Sequence, residues 1–327
     1  MQANNSTEDI EEAHNSKGIA KAKQEDYSGA IEDFTKVIEL NPLAEYAYNN
    51  RGNSKASLAN QVGAIDDFSK AIVINPRYFN AYCNRGRSKD SLADYLGAIE
   101  DYSKAIEIYP DDADVYINRA FSEANNRNHM AAIEDYSKAI DCDPNDAEKF
   151  FNRGWSKADI EDYYGAIVDY SKSIELYSGD SAAFFNRGFA KAQVADHLGA
   201  VNDYTKAIEI DSGLVDAYFN RGFSRSVLKD HVGSIQDYSK EIDLNPMNAR
   251  AYSNRGNSKA MLEDYMGSIE DYTKAIELDP LYARAYNNRG NSFSNLNRRA
   301  EALRDLTKAV ELGFVKAYDM IEEMQKA

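Results

Sequence analysis

Residues 45–76 read EYAYNNRGNSKASLANQVGAIDDFSKAIVINP, and residues 79–110 read FNAYCNRGRSKDSLADYLGAIEDYSKAIEIYP. The second stretch repeats the first at a shift of 34 residues: Tyr48 becomes Tyr82, Asn50-Arg51-Gly52 becomes Asn84-Arg85-Gly86, and Ala64-Ile65 becomes Ala98-Ile99. The same Asn-Arg-Gly returns with Arg153, Arg187, Arg221, Arg255 and Arg289. Arg119, followed by Ala120, and Lys17-Gly18 lie on the same grid. Nine units result. Every proline obeys one frame, with Pro42, Pro76, Pro110, Pro144, Pro246 and Pro280 in place and Ser178, Ser212 and Phe314 in the gaps. Proline has no amide donor and clashes inside a helix, so one proline per unit marks a helix boundary.

Within a unit, Ala44 to Leu58 and Gly63 to Ile74 carry apolar and small residues at helical spacing, joined by a short polar turn around Asn60. The second helix repeats Ala64, Ile65, Phe68, Ala71 and Ile72, a stripe that forms its buried face. Small residues such as Gly52 and Ala64 let the two helices approach closely, with Tyr48 and Phe68 filling the space beside them. One hairpin cannot bury both its faces, whereas stacked hairpins share a continuous core.

The unit resembles a tetratricopeptide repeat: Tyr48, Gly52, Ala64, Phe68, Ala71 and Pro76 reproduce that family's sequence of aromatic, Gly, Ala, aromatic, Ala and Pro. The resemblance implies an all-α fold, a right-handed α-α superhelix of nine helix-turn-helix units with a C-terminal capping helix. The expected boundaries are 1–9 for a disordered N-terminus and 10–316 for the array. Its units fall at about 11–44, 45–78, 79–112, 113–146, 147–180, 181–214, 215–248, 249–282 and 283–316, followed by a capping helix over 313–327. In that cap Phe314, Ala317, Tyr318 and Ile321 form one apolar stripe, opposite Lys316, Asp319 and Glu323.

Two places depart from the family pattern: Arg51 and Lys55, with their equivalents, stand where the family commonly has a large apolar residue and a tyrosine. An unbroken acidic column, Asp33, Asp67, Asp101, Asp135, Asp169, Asp203, Asp237, Asp271 and Asp305, predicts a ladder of partly buried Arg to Asp pairs between the helices. Such pairs fix register more than they stabilise.

At 100° per residue, Tyr48, Arg51, Gly52 and Lys55 share one side of the first helix, and Tyr46, Asn49, Asn50, Asn53 and Ser57 the other. In the family that other side lines a concave, peptide-binding groove. Asn50, Asn84, Asn118, Asn152, Asn186, Asn220, Asn254 and Asn288 form a column on it. Asparagine competes with the backbone for hydrogen bonds and is a poor helix-interior residue, so another requirement retains it. A carboxamide donates and accepts at once, and can pair with a peptide main chain without reading its side chains. The column resembles the asparagine ladder in the superhelix of O-GlcNAc transferase. The alternative is that each Asn bonds to a neighbouring repeat or to water.

A second signal is confined to the middle units: Ile117 with Phe121, Phe151 with Trp155, Phe185 with Phe189, and Phe219 with Phe223. The outer units carry Asn49 with Asn53, Ser253 with Asn257, and Asn287 with Asn291. A core requirement would apply to every unit, so this pattern points to a ligand or partner. The alternative is mutual packing or a homo-oligomer contact. Asp90, Asp114, Glu148, Asp159 and Asp216 flank these aromatics, with Arg250 and Arg284 toward the C-terminal end, a balance that suits an apolar segment with basic flanks. The carboxylate clamp of chaperone-tail adaptors is unmatched, because Asn49 and the Asn column occupy its cation places.

The formal charge of -16, from 38 Lys and Arg against 54 Asp and Glu, opposes broad nucleic-acid contact. No apolar run approaches the roughly 18 residues needed to span a bilayer, and residues 1–11 carry no signal-type apolar stretch. A cytoplasmic location follows as the expectation. Cys83 and Cys142 are far apart and lack metal-type spacing. His14 stands at a tyrosine place, and His129, His197 and His231 share a frame with Tyr95, Tyr163 and Tyr265, so they read as replacements for a structural aromatic. No Gly-rich phosphate loop or base and nucleophile pair exists. The expectation is a non-enzymatic scaffold with no cofactor and no metal, binding an extended polypeptide. The alternatives are the recognition module of a larger enzyme or of a membrane-complex or photosystem assembly factor, as in the bacterial arrays this composition resembles, and a self-assembling structural protein.

Overall fold

A computed structural model describes residues 7–326, and among these the chain is all helical, with 19 helices and no strand. Each repeat is a hairpin such as Glu45–Ser57 with Gln61–Ile74, or Ser181–Gln193 with His197–Ile210. The contacts divide the chain into two compact units, up to Asp162 and from Tyr163 on. The first holds four complete hairpins and the helix Ala147–Asp159. The second holds Tyr163–Leu176, four hairpins and a terminal helix, Ala317–Lys326. The first helix begins at Thr7, so residues 7–9 of the stretch expected to be disordered are helical, and 1–6 lie outside the described residues.

The second helix of most hairpins starts on a side-chain cap. Asp94 Oδ1 accepts the Gly97 amide at 3.1 Å, and Asp196 Oδ1 accepts the Gly199 amide at 2.9 Å. A Cβ at either glycine would lie well inside contact with the capping carboxylate, so the cap and the glycine three places later require each other. Ala131 occupies that place after Asn128, and there the side-chain cap is lost. The turn before each cap passes through the left-handed region at Glu25, Ala59, Ala93, Arg127, Glu161, Ala195, Lys229, Glu263 and Asn297, with φ between 57° and 64°.

Within a hairpin the helices meet at glycine: a Cβ on Gly52 would lie 2.6 Å from Phe68 Cε1, and one on Gly86 2.7 Å from Tyr102 Cε1. The second-helix stripe is the core, with Ala64, Phe68, Ala71, Ala98, Tyr102 and Ala105 fully buried. In each unit the first helices of successive hairpins also touch one another, so the stacks close up on the first-helix side. Phe314, just before the terminal helix, and Met320, Ile321 and Met324 on it pack against the cluster of Leu306 and Ala317. Tyr318, expected in that stripe, is 54% exposed, and Met320 takes its place.

Candidate functional site

The arginine column explains how the first helix can carry cations where a larger apolar side chain would pack. Arg51 Nε and Nη2 donate to the two carboxylate oxygens of Asp67 at 2.9 and 2.7 Å, and Nη1 donates to Thr35 Oγ1 of the preceding hairpin at 3.1 Å. Arg85 with Asp101, Arg119 with Asp135, Arg221 with Asp237, Arg255 with Asp271 and Arg289 with Asp305 do the same. Lys55 Nζ adds a second cation to Asp67 at 2.7 Å, and Lys259 to Asp271 at 2.8 Å. In the first hairpin His14 and Lys21 hold Asp33 instead. Burial alone would raise the Asp33 carboxyl, but the Lys21 and His14 hydrogen bonds hold it below its ordinary range. Each guanidinium lies over the aromatic ring three residues before it, 5.6 Å from Tyr48 and 5.5 Å (Arg187) from Phe184. The hydroxyl column that takes the third donor was legible as Thr35, Ser69, Ser103, Ser137, Ser171, Thr205, Ser239 and Thr273, and with Thr307 a Ser or Thr stands at that place in all nine units.

With that side of the first helix committed to the interior, the asparagine column faces the side on which first helices adjoin. Its members behave differently by position. Asn84 Nδ2 donates to Asn49 Oδ1 at 2.9 Å, Asn49 Nδ2 reaches Asn50 Oδ1 at 3.5 Å, and Asn84 Oδ1 accepts from Arg87. Asn288 Nδ2 donates to Asn257 Oδ1 at 2.8 Å, and Asn254 shares a side-chain hydrogen bond with Tyr238. In contrast, the half-buried carboxamides of Asn118 and Asn152 in the first unit, and of Asn186 and Asn220 in the second, make no hydrogen bond to any described residue. The cause is in the flanking columns. Outer units place Asn49, Arg87, Asn257 or Asn287 within reach, whereas the middle units place Ile117, Phe121, Trp155, Phe189 and Phe223 there, which have no complementary group. Open depressions adjoin the outer members. One of about 290 Å³ is lined by Ile19, Tyr27, Asn50 and Asn53, and another of about 500 Å³ by Asn257, Tyr265, Asn288 and Asn291.

The two aromatic columns separate as well. Phe151, Phe185 and Phe219 are half-buried. Phe185 packs 5.7 Å from Tyr204 and Phe219 5.6 Å from Tyr238, with the Arg250 guanidinium 5.6 Å from the Phe219 ring. These rings serve packing between helices as much as any surface. Phe121, Trp155, Phe189 and Phe223, four residues further on, are 52, 41, 39 and 50% exposed. The turn residues of the preceding hairpin prop three of them. His129 lies edge-on to Trp155 at 5.5 Å, Tyr163 to Phe189 at 6.5 Å and His197 to Phe223 at 6.2 Å. These histidines thus occupy the place of an aromatic prop, as the Tyr163 contact shows directly.

One residue read as a groove acid is elsewhere. Asp90 is turned inward between hairpins, accepting from Tyr102 Oη at 2.8 Å and Ser122 Oγ at 2.7 Å, and burial pushes its carboxyl above the ordinary range. Cys83 is buried and its thiol is pushed up to about 12 by burial, while Cys142 is exposed. Among the described residues no cluster of His, Cys, Asp or Glu could hold a metal ion, and no helix is long and apolar enough to cross a membrane.

Comparison with known proteins bears on the fold. Family models of the tetratricopeptide repeat match residues 11–42 and 249–282, residues 102–134 and 271–304, and residues 79–112. No curated protein compared with the chain reaches a significant match. Among solved structures, the C-terminal part of a TPR repeat-containing protein from Cytophaga hutchinsonii is similar at a TM-score of 0.64 and 22% identity, covering 73% of this chain and 98% of that one. A tetratricopeptide repeat protein from Parabacteroides merdae gives 0.54 at 18% identity, over 76% and 97% of the two chains. YrrB, a TPR protein with an unusual peptide-binding site, gives 0.53 at 23% identity, over 56% and 95%. The chain carries tetratricopeptide repeats and folds as a tetratricopeptide-repeat solenoid.

Proposed function

We propose that this protein is a non-catalytic interaction scaffold whose first-helix surface holds an extended polypeptide, with asparagines gripping its main chain and exposed aromatics selecting its side chains. The observation that carries this reading is the set Asn118, Asn152, Asn186 and Asn220, helical carboxamides without a partner among the described residues, each three residues before an exposed aromatic ring. An asparagine retained at a cost to the helix and left open inside a half-buried surface serves a guest rather than the fold. Each aromatic ring can contribute about 150–250 Å² of contact. Proteins of this fold include YrrB, which has a peptide-binding site. The surrounding negative charge favours a segment with an apolar centre and Lys or Arg flanks.

The test uses a panel of unrelated extended peptides with apolar centres and basic flanks. Replacing Asn152 and Asn186 together by Ala is expected to weaken all of them to a similar degree. Trp155→Ala is expected to reorder their ranking. Binding that survives both changes unaltered would remove the groove from consideration.

A further inference from the structure

A row of exposed apolar side chains runs along the turn end of the hairpins, away from the asparagine and aromatic columns. In the second unit the first helices close on Val194, Leu228 and Leu262, and the second residues of the following helices are Leu198, Val232 and Met266. Leu198, Val232 and Met266 are 64, 57 and 54% exposed. Val62, Leu96 and Met130 hold the equivalent place in the first unit at 64, 63 and 61%. The position lies off the buried stripe formed by Ala200, Tyr204 and Ala207, so packing within the hairpin does not ask for an apolar residue there. Ser28 and Ala300 occupy it in the first and last repeats. Because hairpins stack side by side, equivalent turn positions within a unit form one edge, and a contiguous apolar edge on a strongly charged chain marks a contact surface.

The acidic residues along this edge select the occupant. Asp196, Glu263 and Asp264 are exposed between the apolar side chains of the second unit, as is Asp230, which Arg225 approaches at 3.7 Å, and Lys229 is the one Lys or Arg within these turns. The three Asp side chains cap their helices through the amides of Gly199, Gly233 and Gly267 at 2.9 Å, which holds the carboxylates in place. With a formal charge of -16 on the chain, a second copy and an anionic bilayer are both repelled, whereas a helix carrying Lys or Arg beside its apolar stripe is attracted. We propose that the turn edge of the second unit docks a cationic amphipathic helix from a partner protein, independently of the asparagine surface.

The test titrates a synthetic Leu/Lys amphipathic helix, and a Leu/Glu helix of the same length and apolar spacing, against the full chain and against the triple variant Leu198→Ser, Val232→Ser, Met266→Ser. The three substitutions lie on the surface and leave the charge unchanged, and an unaltered thermal melt confirms the fold. The Leu/Lys helix is expected to bind the unaltered chain about tenfold or more tightly than the variant, since three apolar contacts are lost. The Leu/Glu helix is expected to bind neither. Equal binding of the Leu/Lys helix to both proteins would reduce the effect to net charge and overturn the proposal. So would a variant whose lost property is self-association by light scattering, or retention on phosphatidylglycerol vesicles.

Discussion

Arg187 and Asp203 meet in a two-point contact, Nε to Oδ2 at 2.8 Å and Nη2 to Oδ1 at 2.7 Å, while Nη1 of the same guanidinium donates to Ser171 Oγ at 3.1 Å. The two hydrogen-bonded partners lie 16 residues after and 16 residues before the arginine, so one side chain ties its own hairpin to the one behind it. Asp203 is 3% exposed, and Lys191 supplies it a second cation at 2.8 Å. Removing the carboxylate leaves two largely buried cations without their shared counter-charge. Asp203→Ala is therefore expected to cost about 3–5 kcal/mol. Glu209→Ala, which breaks only the surface pair with Lys206, is expected to cost under about 0.5 kcal/mol. Urea unfolding of the two variants compares them, and equal losses would mean the ladder adds nothing specific.

The left-handed turn residues give a prediction of opposite sign. Ala93 and Ala195 adopt φ of 59° and 62° with a Cβ that this region penalises by about 1–2 kcal/mol. Glycine removes the penalty but loses more entropy on folding, by about 0.5–1 kcal/mol. Ala93→Gly and Ala195→Gly are each expected to stabilise by about 0.5–1 kcal/mol, read as a higher urea midpoint at unchanged slope.

Glu241 stands in a core column that is otherwise Val37, Ala71, Ala105, Ala139, Ser173, Ala207, Ala275 and Ala309. It is 1% exposed; Oε1 accepts from Asn248 Nδ2 at 2.8 Å and Oε2 has no partner among the described residues. Burial pushes its carboxyl above the ordinary value of 4.5. The folded chain thus keeps the proton longer than the unfolded one, and Glu241's favourable contribution, complete below the unfolded value, disappears as pH rises through the folded one. Glu241→Ala is expected to stabilise at about pH 7.5, by roughly 1–3 kcal/mol, and to do less at about pH 4.5. Urea titrations at the two pH values decide it; a gain independent of pH would show that ionisation is not the cost.

The asparagine column separates by stability as well as by binding. Asn84 is 8% exposed and hydrogen bonded to Asn49, so Asn84→Ala is expected to cost about 1 kcal/mol. The Asn118 carboxamide has no partner among the described residues, and alanine is the better helix former by up to about 0.7 kcal/mol. Asn118→Ala is thus expected to raise the melting temperature. A loss there comparable to that at Asn84 would mean that Asn118 serves the fold.

Periodicity alone determined the hairpin, the place of its boundaries near Pro42 and Pro76, and the pairing of the arginine and aspartate columns. These follow from local rules, since helical spacing and a missing amide act within one repeat, and a charge column on one helix demands its opposite on the next. Chain order could not divide the asparagines. Whether Asn84 or Asn118 is satisfied depends on what the flanking first helix offers it: Asn49 bonds to Asn84, and the equivalent place before Asn118 is Cys83. The same holds for the rings, because Phe185 and Phe189 are alike on a helical wheel, yet one is half-buried against Tyr204 and the other, propped by Tyr163, is 39% exposed. Only stacking decided which side chains face a neighbour and which face solvent, because burial is a property of what lies across the gap and not of the residue that lines it.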